Sequence, residues 1–228
     1  MSFLDKVYTF DPKRQAVHRV ERLTYFNDAI IAIAATLTVL NLVTRPDVAG
    51  DRLAHQIATQ EAVLLSTLLA FGWIAGTWIL SHRSLRQLRG VDHYMSLLVI
   101  CRTLVITLIP FSTSLLARGV GHADFWVGVE GVSFVIPTEV VLAAAGTAYA
   151  HRRGLLVTPA SPGQRRAALT TWVVIIAITS LACVVAPWVP WLALGIDIAT
   201  RVSSLLPLAS DAVGYVPTDS SPVDGGAT

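Results

Sequence analysis

Six long apolar segments, separated by short polar and basic stretches, dominate the pattern of the chain. Each has roughly the 20 residues that a helix needs to cross a hydrocarbon layer of about 30 Å. Because a backbone in lipid must satisfy its own polar groups, each segment is predicted to be a helix. The predicted spans cover residues 23–43, 61–81, 94–117, 125–150, 167–186 and 188–209.

The composition supports a membrane protein. Apolar residues make up 54% of the chain and charged residues 14%, whereas about a quarter of the residues in a soluble domain are charged. We therefore predict an all-α, polytopic fold with six transmembrane helices per subunit, forming one domain over residues 1–209. Residues 210–228 are rich in Gly, Pro, Ser and Asp, which predicts a disordered cytoplasmic tail.

Basic residues predict the orientation, because Lys and Arg accumulate in loops on the cytoplasmic side. The stretches before span one, after span two and after span four are strongly basic, and the opposite loops are not. The basic side holds Lys6, Lys13, Arg14, Arg19, Arg22, Arg83, Arg86, Arg89, Arg152, Arg153, Arg165 and Arg166, against Arg45, Arg52 and Arg118 opposite. Both termini are therefore predicted to be cytoplasmic.

Polar residues inside the spans are candidates for function, since a charge in hydrocarbon is costly unless it is paired or faces water. Asp28 lies in span one, and it either locks helices together or acts directly on an ion. Arg102 in span three lies at a similar depth and is a candidate partner for Asp28. Trp78 and His82 are four residues apart, hence on one helix face at the end of span two.

Other intramembrane charges allow a second interpretation. Asp197 and Arg201 are spaced for an ion pair within span six, whereas Glu139 in span four has no obvious partner. Asp28, Arg102 and Glu139 together would suit a charge relay in a proton-coupled or small-solute transporter.

One face of span one is a candidate pore surface. Ile33, Leu37 and Leu40 share this face, and Thr36 lies beside it. Such a stripe suits either lipid or a hydrophobic constriction, and the periodicity does not distinguish between them.

No motif indicates an enzyme, a bound cofactor, a metal site or nucleic-acid binding. The chain has no H-E-x-x-H, G-x-S-x-G, P-loop or Rossmann sequence, and its six histidines are scattered singly. The two cysteines, Cys101 and Cys183, lie in separate apolar segments. A T-V-G-Y-G potassium filter is also missing, so a pore in this protein would need another device to select ions.

A signature at the start of span one carries a resemblance to a known family. It has the spacing R-x-x-x-F-S-D followed by A-I-x-x-T-L, and further matches occur at the end of span two and within residues 108–113. The matching residues are Arg22, Phe26, Asp28, Ile33, Thr36, Leu37, Trp78 and His82, with Asn27 where the family has serine. Over most of spans one to three the chain thus resembles the transmembrane protein 175 family of potassium channels.

The resemblance implies a homotetramer in a bacterial inner membrane, with potassium as the permeant ion and four copies of span one around a central pore. Ile33 would form the principal constriction, Leu37 and Leu40 further apolar rings, and Thr36 a position next to the pore. The residues of a structural polar network would be Arg22, Phe26, Asn27, Asp28, Trp78, His82 and Arg102.

Overall fold

The computed structural model describes residues 12–43, 61–158 and 161–205. These ranges fold into α-helices joined by short turns. The helices are α1 (Pro12–Val43), α2 (Glu61–Arg86), α3 (His93–Ile106), α4 (Ile109–Gly119), α5 (Phe125–Arg153), α6 (Pro162–Val185) and α7 (Pro190–Leu205). The predicted tail at 210–228 lies outside the described residues.

The predicted all-α membrane fold is confirmed. Within the described ranges, five segments are long and apolar enough to cross a membrane, namely Ala16–Leu40, Glu61–Arg86, His93–Gly119, Phe125–Arg153 and Pro162–Val185. The described part of α7 has 16 residues, and the predicted sixth span, at 188–209, continues beyond the described residues.

Span three is interrupted, which the sequence analysis did not predict. The break lies at Thr107 and Leu108, between α3 and α4, and Pro110 occupies the first turn of α4. Proline has no N–H and its ring clashes with the preceding turn of a helix. The backbone adapts with a tighter turn, in which the Leu108 N–H donates to the Val105 carbonyl at 3.0 Å.

Several helices extend further than the predicted spans, because a helix does not have to end at the membrane surface. α1 begins at Pro12 and α2 continues to Arg86. α6 begins at a capping box in which Ser161 and Gln164 bond reciprocally. α5 ends where Gly154 adopts a left-handed conformation with φ of 63°, which glycine accepts without strain.

The two basic loops after spans two and four meet each other. The Arg89 N–H donates to the Leu155 carbonyl, and the Val157 N–H donates to the Gln87 carbonyl, both at 2.8 Å. This short antiparallel pairing places both loops at one end of the bundle, as the predicted topology requires. That this end is cytoplasmic stays a prediction.

Helix α5 lies at the centre of the subunit and α1 lies at its edge. α5 packs against α3, α4, α6 and α7, whereas α1 packs against α2, α3 and α4. The side chains that α1 buries include Leu23, Ile31 and Ala34. The opposite surface of α1 is therefore open with respect to the other described helices.

Candidate functional site

The apolar stripe predicted on span one lies on the open surface of α1. Ile33 is 58% exposed, Leu37 43% and Leu40 55%. Thr36 is also exposed, and its hydroxyl donates to the Ile33 carbonyl at 2.8 Å. No other described part of the chain covers the stripe.

Asp28 anchors one flank of α1 to α2. The indole Nε1 of Trp78 donates to Asp28 Oδ1 at 3.0 Å, and Nδ1 of His82 lies 3.8 Å from Asp28 Oδ2. The Trp78 and His82 rings stack with centroids 5.4 Å apart. Because the carboxylate and the indole are both held, this contact restricts rotation of α1 about its axis.

The anchor and the stripe lie on opposite flanks of the buried face of α1. Successive helical residues are about 100° apart, so Asp28 lies about 100° to one side of Asn27, and Ile33 lies about 120° to the other side. Phe26 is seven residues before Ile33 and is exposed on the same flank. The Asp28 contact with α2 thus directs the stripe away from α2.

Arg22 does not join this cluster within the subunit. It lies on the exposed surface of α1, and no ion pair between Arg22 and Asp28 is present in the described part of the chain. Six residues correspond to about 600° of helical rotation, which places the two side chains on different faces of α1.

Asn27, at the position where the family has serine, is buried between α1 and α3. Its Oδ1 accepts a hydrogen bond from the Thr103 hydroxyl at 2.9 Å. Its amide nitrogen has no partner among the residues that the structure describes, and Asn27 lines a small cavity of about 20 Å³ together with Ser81 and Arg102. Asparagine thus bridges two helices and places a second polar atom at this cavity.

Arg102 binds Glu139 rather than Asp28, which corrects the pairing considered from the sequence. The Arg102 Nε donates to Glu139 Oε1 at 2.7 Å. From α7, Arg201 Nη2 lies 3.6 Å from Glu139 Oε2 and donates to the Thr77 hydroxyl at 2.7 Å. Glu139, whose side chain is 4% exposed, therefore links four helices, α2, α3, α5 and α7.

The predicted ion pair between Asp197 and Arg201 is wrong, because Arg201 is directed to Glu139. Asp197 Oδ2 instead accepts a hydrogen bond from Ser133 on α5 at 2.6 Å. Nearby, the Cys183 thiol donates to Glu130 Oε1 at 3.2 Å. These contacts connect α5 to α6 and α7.

The hydroxyl partners Thr77, Thr103 and Ser133 were missed by the sequence analysis. The one sequence signal that could have indicated them is a hydroxyl side chain within an otherwise apolar span. Among the described residues, no three His, Cys, Asp or Glu side chains are grouped so that they could hold a metal ion.

Comparison with known proteins gives two matches. Residues 22–110 match the family model described as endosomal/lysosomal potassium channel TMEM175. The fold resembles the crystal structure of a lysosomal potassium-selective channel TMEM175 homolog from Chamaesiphon Minutus, with a TM-score of 0.66 and 18% sequence identity. That likeness covers 81% of this chain and 95% of the other. No curated protein matches the chain.

Proposed function

We propose, from the match of residues 22–110 to the TMEM175 family model, that this multi-pass membrane protein is a subunit of a potassium-permeable cation channel. The family is one of ion channels and not of enzymes. The finer proposal is that α1 lines the pore and that Ile33 forms its principal constriction.

The observation that carries the proposal is the uncovered apolar stripe on α1. Ile33, Leu37 and Leu40 are each between 43% and 58% exposed in the single subunit. Exposure of this kind suits both lipid and a pore, and the range of the family match favours the pore. The matched residues, 22–110, include α1 with its anchor on α2 and exclude α5, α6 and α7. A family match that includes α1 and its anchor on α2 favours a specific role for the exposed face of α1.

Helix α6 also exposes an apolar surface, which we assign to lipid. Val173 and Leu181 lie on it, and α6 packs mainly against α5 and α7 in the described part of the chain. It contributes no residue to the family match. The apolar face of α6, which we assign to lipid, therefore serves as a control for the apolar face of α1, which we assign to the pore.

A ring of branched apolar side chains can restrict ions without a carbonyl filter. An ion that passes such a ring must give up part of its hydration shell, and an apolar constriction can also close by dewetting. Potassium holds its water less strongly than sodium, so it passes at a lower cost. We expect a modest preference for potassium, set by the ring diameter.

The same proposal requires several copies of α1 around one axis, and we propose the homotetramer that the family resemblance implies. The Asp28–Trp78 contact would hold each copy at one rotation, with Ile33 toward the axis. The mass of the purified complex in a mild detergent gives the subunit number. Cross-linking of Ile33→Cys between subunits then tests whether α1 lies at the axis.

The central test is Ile33→Asn, with Leu181→Asn on α6 as the matched control, because the two side chains are 58% and 54% exposed. In liposomes, Ile33→Asn is expected to raise cation flux and to reduce the preference for potassium over sodium, since an amide ring holds water. Leu181→Asn should leave the potassium-to-sodium flux ratio unchanged. Equal effects of the two substitutions would refute the pore assignment.

A flux assay with and without a proton gradient separates a channel from the transporter considered earlier. The structure divides the residues of the suggested relay between two clusters, Asp28 with Trp78 and Arg102 with Glu139. A channel passes potassium down its own gradient at any proton gradient, whereas strict coupling to protons would favour the transporter.

A further inference from the structure

Asp197 on α7 is a fully buried carboxyl group with an incomplete set of partners. It is 0% exposed, between α5, α6 and α7. The hydroxyl of Ser133 lies 2.6 Å from Oδ2, and Oδ1 has no hydrogen-bond partner among the described residues. A buried carboxylate needs a cation or several donors to remain ionised.

The nearest candidate cation is already used elsewhere. Arg201 lies one turn after Asp197, yet its guanidinium bonds Thr77 on α2 and faces Glu139 on α5. Arg102 from α3 also pairs with Glu139. No ion pair of Asp197 is present among the described residues.

The remaining ionisable groups around Asp197 do not supply positive charge either. On α5, Glu130 lies one turn before Ser133, and its Oε1 accepts from the Cys183 thiol of α6 at 3.2 Å. The other Glu130 oxygen, Oε2, is buried without a partner. Among the described residues, the clusters around Glu130, Glu139 and Asp197 thus bring these three carboxyl groups against the two guanidiniums of Arg102 and Arg201.

We propose that Asp197 is a proton-binding site, occupied at neutral pH and separate from α1. One bound proton makes the three carboxyl groups and two guanidiniums electrically neutral as a set. The short contact with Ser133 fits a neutral carboxyl group, because the shared hydrogen can lie on either oxygen. The carbonyl oxygen that remains unpaired is then an uncharged acceptor, which costs far less in the interior than an unpaired charge.

Protonation of Asp197 should stabilise the fold whether or not α1 lines a pore. Loss of the proton at alkaline pH leaves an uncompensated charge between α7 and α5, so the subunit should unfold more easily there. Asp197→Asn mimics the protonated group in shape and charge. It should keep the fold and remove this part of the alkaline sensitivity.

Infrared spectroscopy of the full-length protein in liposomes at neutral pH provides the test. The wild type should show one protonated carboxyl C=O band that Asp197→Asn removes, whereas Glu130→Gln should retain it. Loss of the band in Glu130→Gln alone would overturn the assignment, as would the lack of any such band in the wild type. A carboxylate band that shifts when potassium replaces choline would identify a metal cation instead, and would also overturn it.

A second measurement covers the case in which Asp197→Asn fails to fold. Wild-type protein labelled with ¹³C at the aspartate carboxyl carbons is examined by solid-state NMR at neutral pH. One protonated aspartate is expected beside the ionised ones. A spectrum in which every aspartate is ionised would refute the proposal without any variant.

Discussion

Glu139→Gln removes the one negative charge that faces both Arg102 and Arg201. The glutamate side chain is 4% exposed, and the two arginine side chains are 14% and 9% exposed. Glutamine has nearly the same shape and still offers one oxygen to Arg102. The change therefore deletes charge while it preserves packing.

The expected loss of stability is large. In the wild type the three groups carry a net charge of +1, and in the variant two guanidiniums remain with no counter-charge. Breaking a buried ion pair by removing one partner costs about 3–5 kcal/mol. At roughly 2–4 °C per kcal/mol for a protein of this size, the melting temperature should fall by the order of 10 °C.

Thermal unfolding of the purified protein in detergent, followed by tryptophan fluorescence, measures the effect. Glu61→Gln is the control, because Glu61 is exposed at the start of α2, and it should shift the melting temperature only slightly. Arg201→Gln should destabilise less than Glu139→Gln, since it leaves one arginine still paired with the glutamate. If Glu139→Gln melts within a degree or two of the wild type, the reasoning from buried charge is refuted.

Two further substitutions test contacts elsewhere in the bundle. Asp92 caps α3, and the hydrogen bonds from the Tyr149 hydroxyl and the Met95 amide lower the pKa of its carboxyl group below the usual 3.8. The ionised carboxylate therefore stabilises the fold above pH 3.8, and this contribution is lost as the pH falls through the lowered pKa. Wild-type melting temperature should therefore drop on acidification below about pH 4 more than that of Asp92→Asn. Gly128→Ala would place its Cβ 2.5 Å from the Leu116 Cα and force α4 and α5 apart, with a cost of about 1–3 kcal/mol. Its control, Gly72→Ala, meets nothing within 4 Å, and equal melting temperatures for the two glycine variants would contradict the clash.

The hydrophobic pattern predicted most of the fold because a membrane imposes one simple requirement on every span. Length and apolar content were sufficient to locate five crossing segments. They could not predict the break between α3 and α4. Proline is tolerated in membrane helices when neighbouring groups satisfy the freed backbone, so Pro110 alone does not show whether a helix continues.

The polar contacts were harder to predict, because the sequence indicates how deep in the membrane a residue lies but not which neighbouring helix its side chain faces. Arg102 and Asp28 lie at similar depths, yet Arg102 faces Glu139 on α5. The spacing of Asp197 and Arg201 was correct for an ion pair on one helix. In the folded chain, however, α7 places Arg201 next to Glu139, which would otherwise pair with Arg102 alone.

Asp28, Asn27 and Thr36 of α1 make hydrogen bonds within the chain, and this determines what the exposed face of α1 can offer. Asp28 bonds Trp78, Asn27 bonds Thr103, and the Thr36 hydroxyl donates to the backbone of its own helix. From Ala29 to Leu40 the exposed side chains of α1 carry no charge. A pore built on this face would thus have apolar walls, and its selectivity would have to come from the cost of dehydration. Ile33→Asn is informative for this reason, since it adds an amide group to a surface whose nearest hydroxyl, that of Thr36, is bonded to the backbone of its own helix.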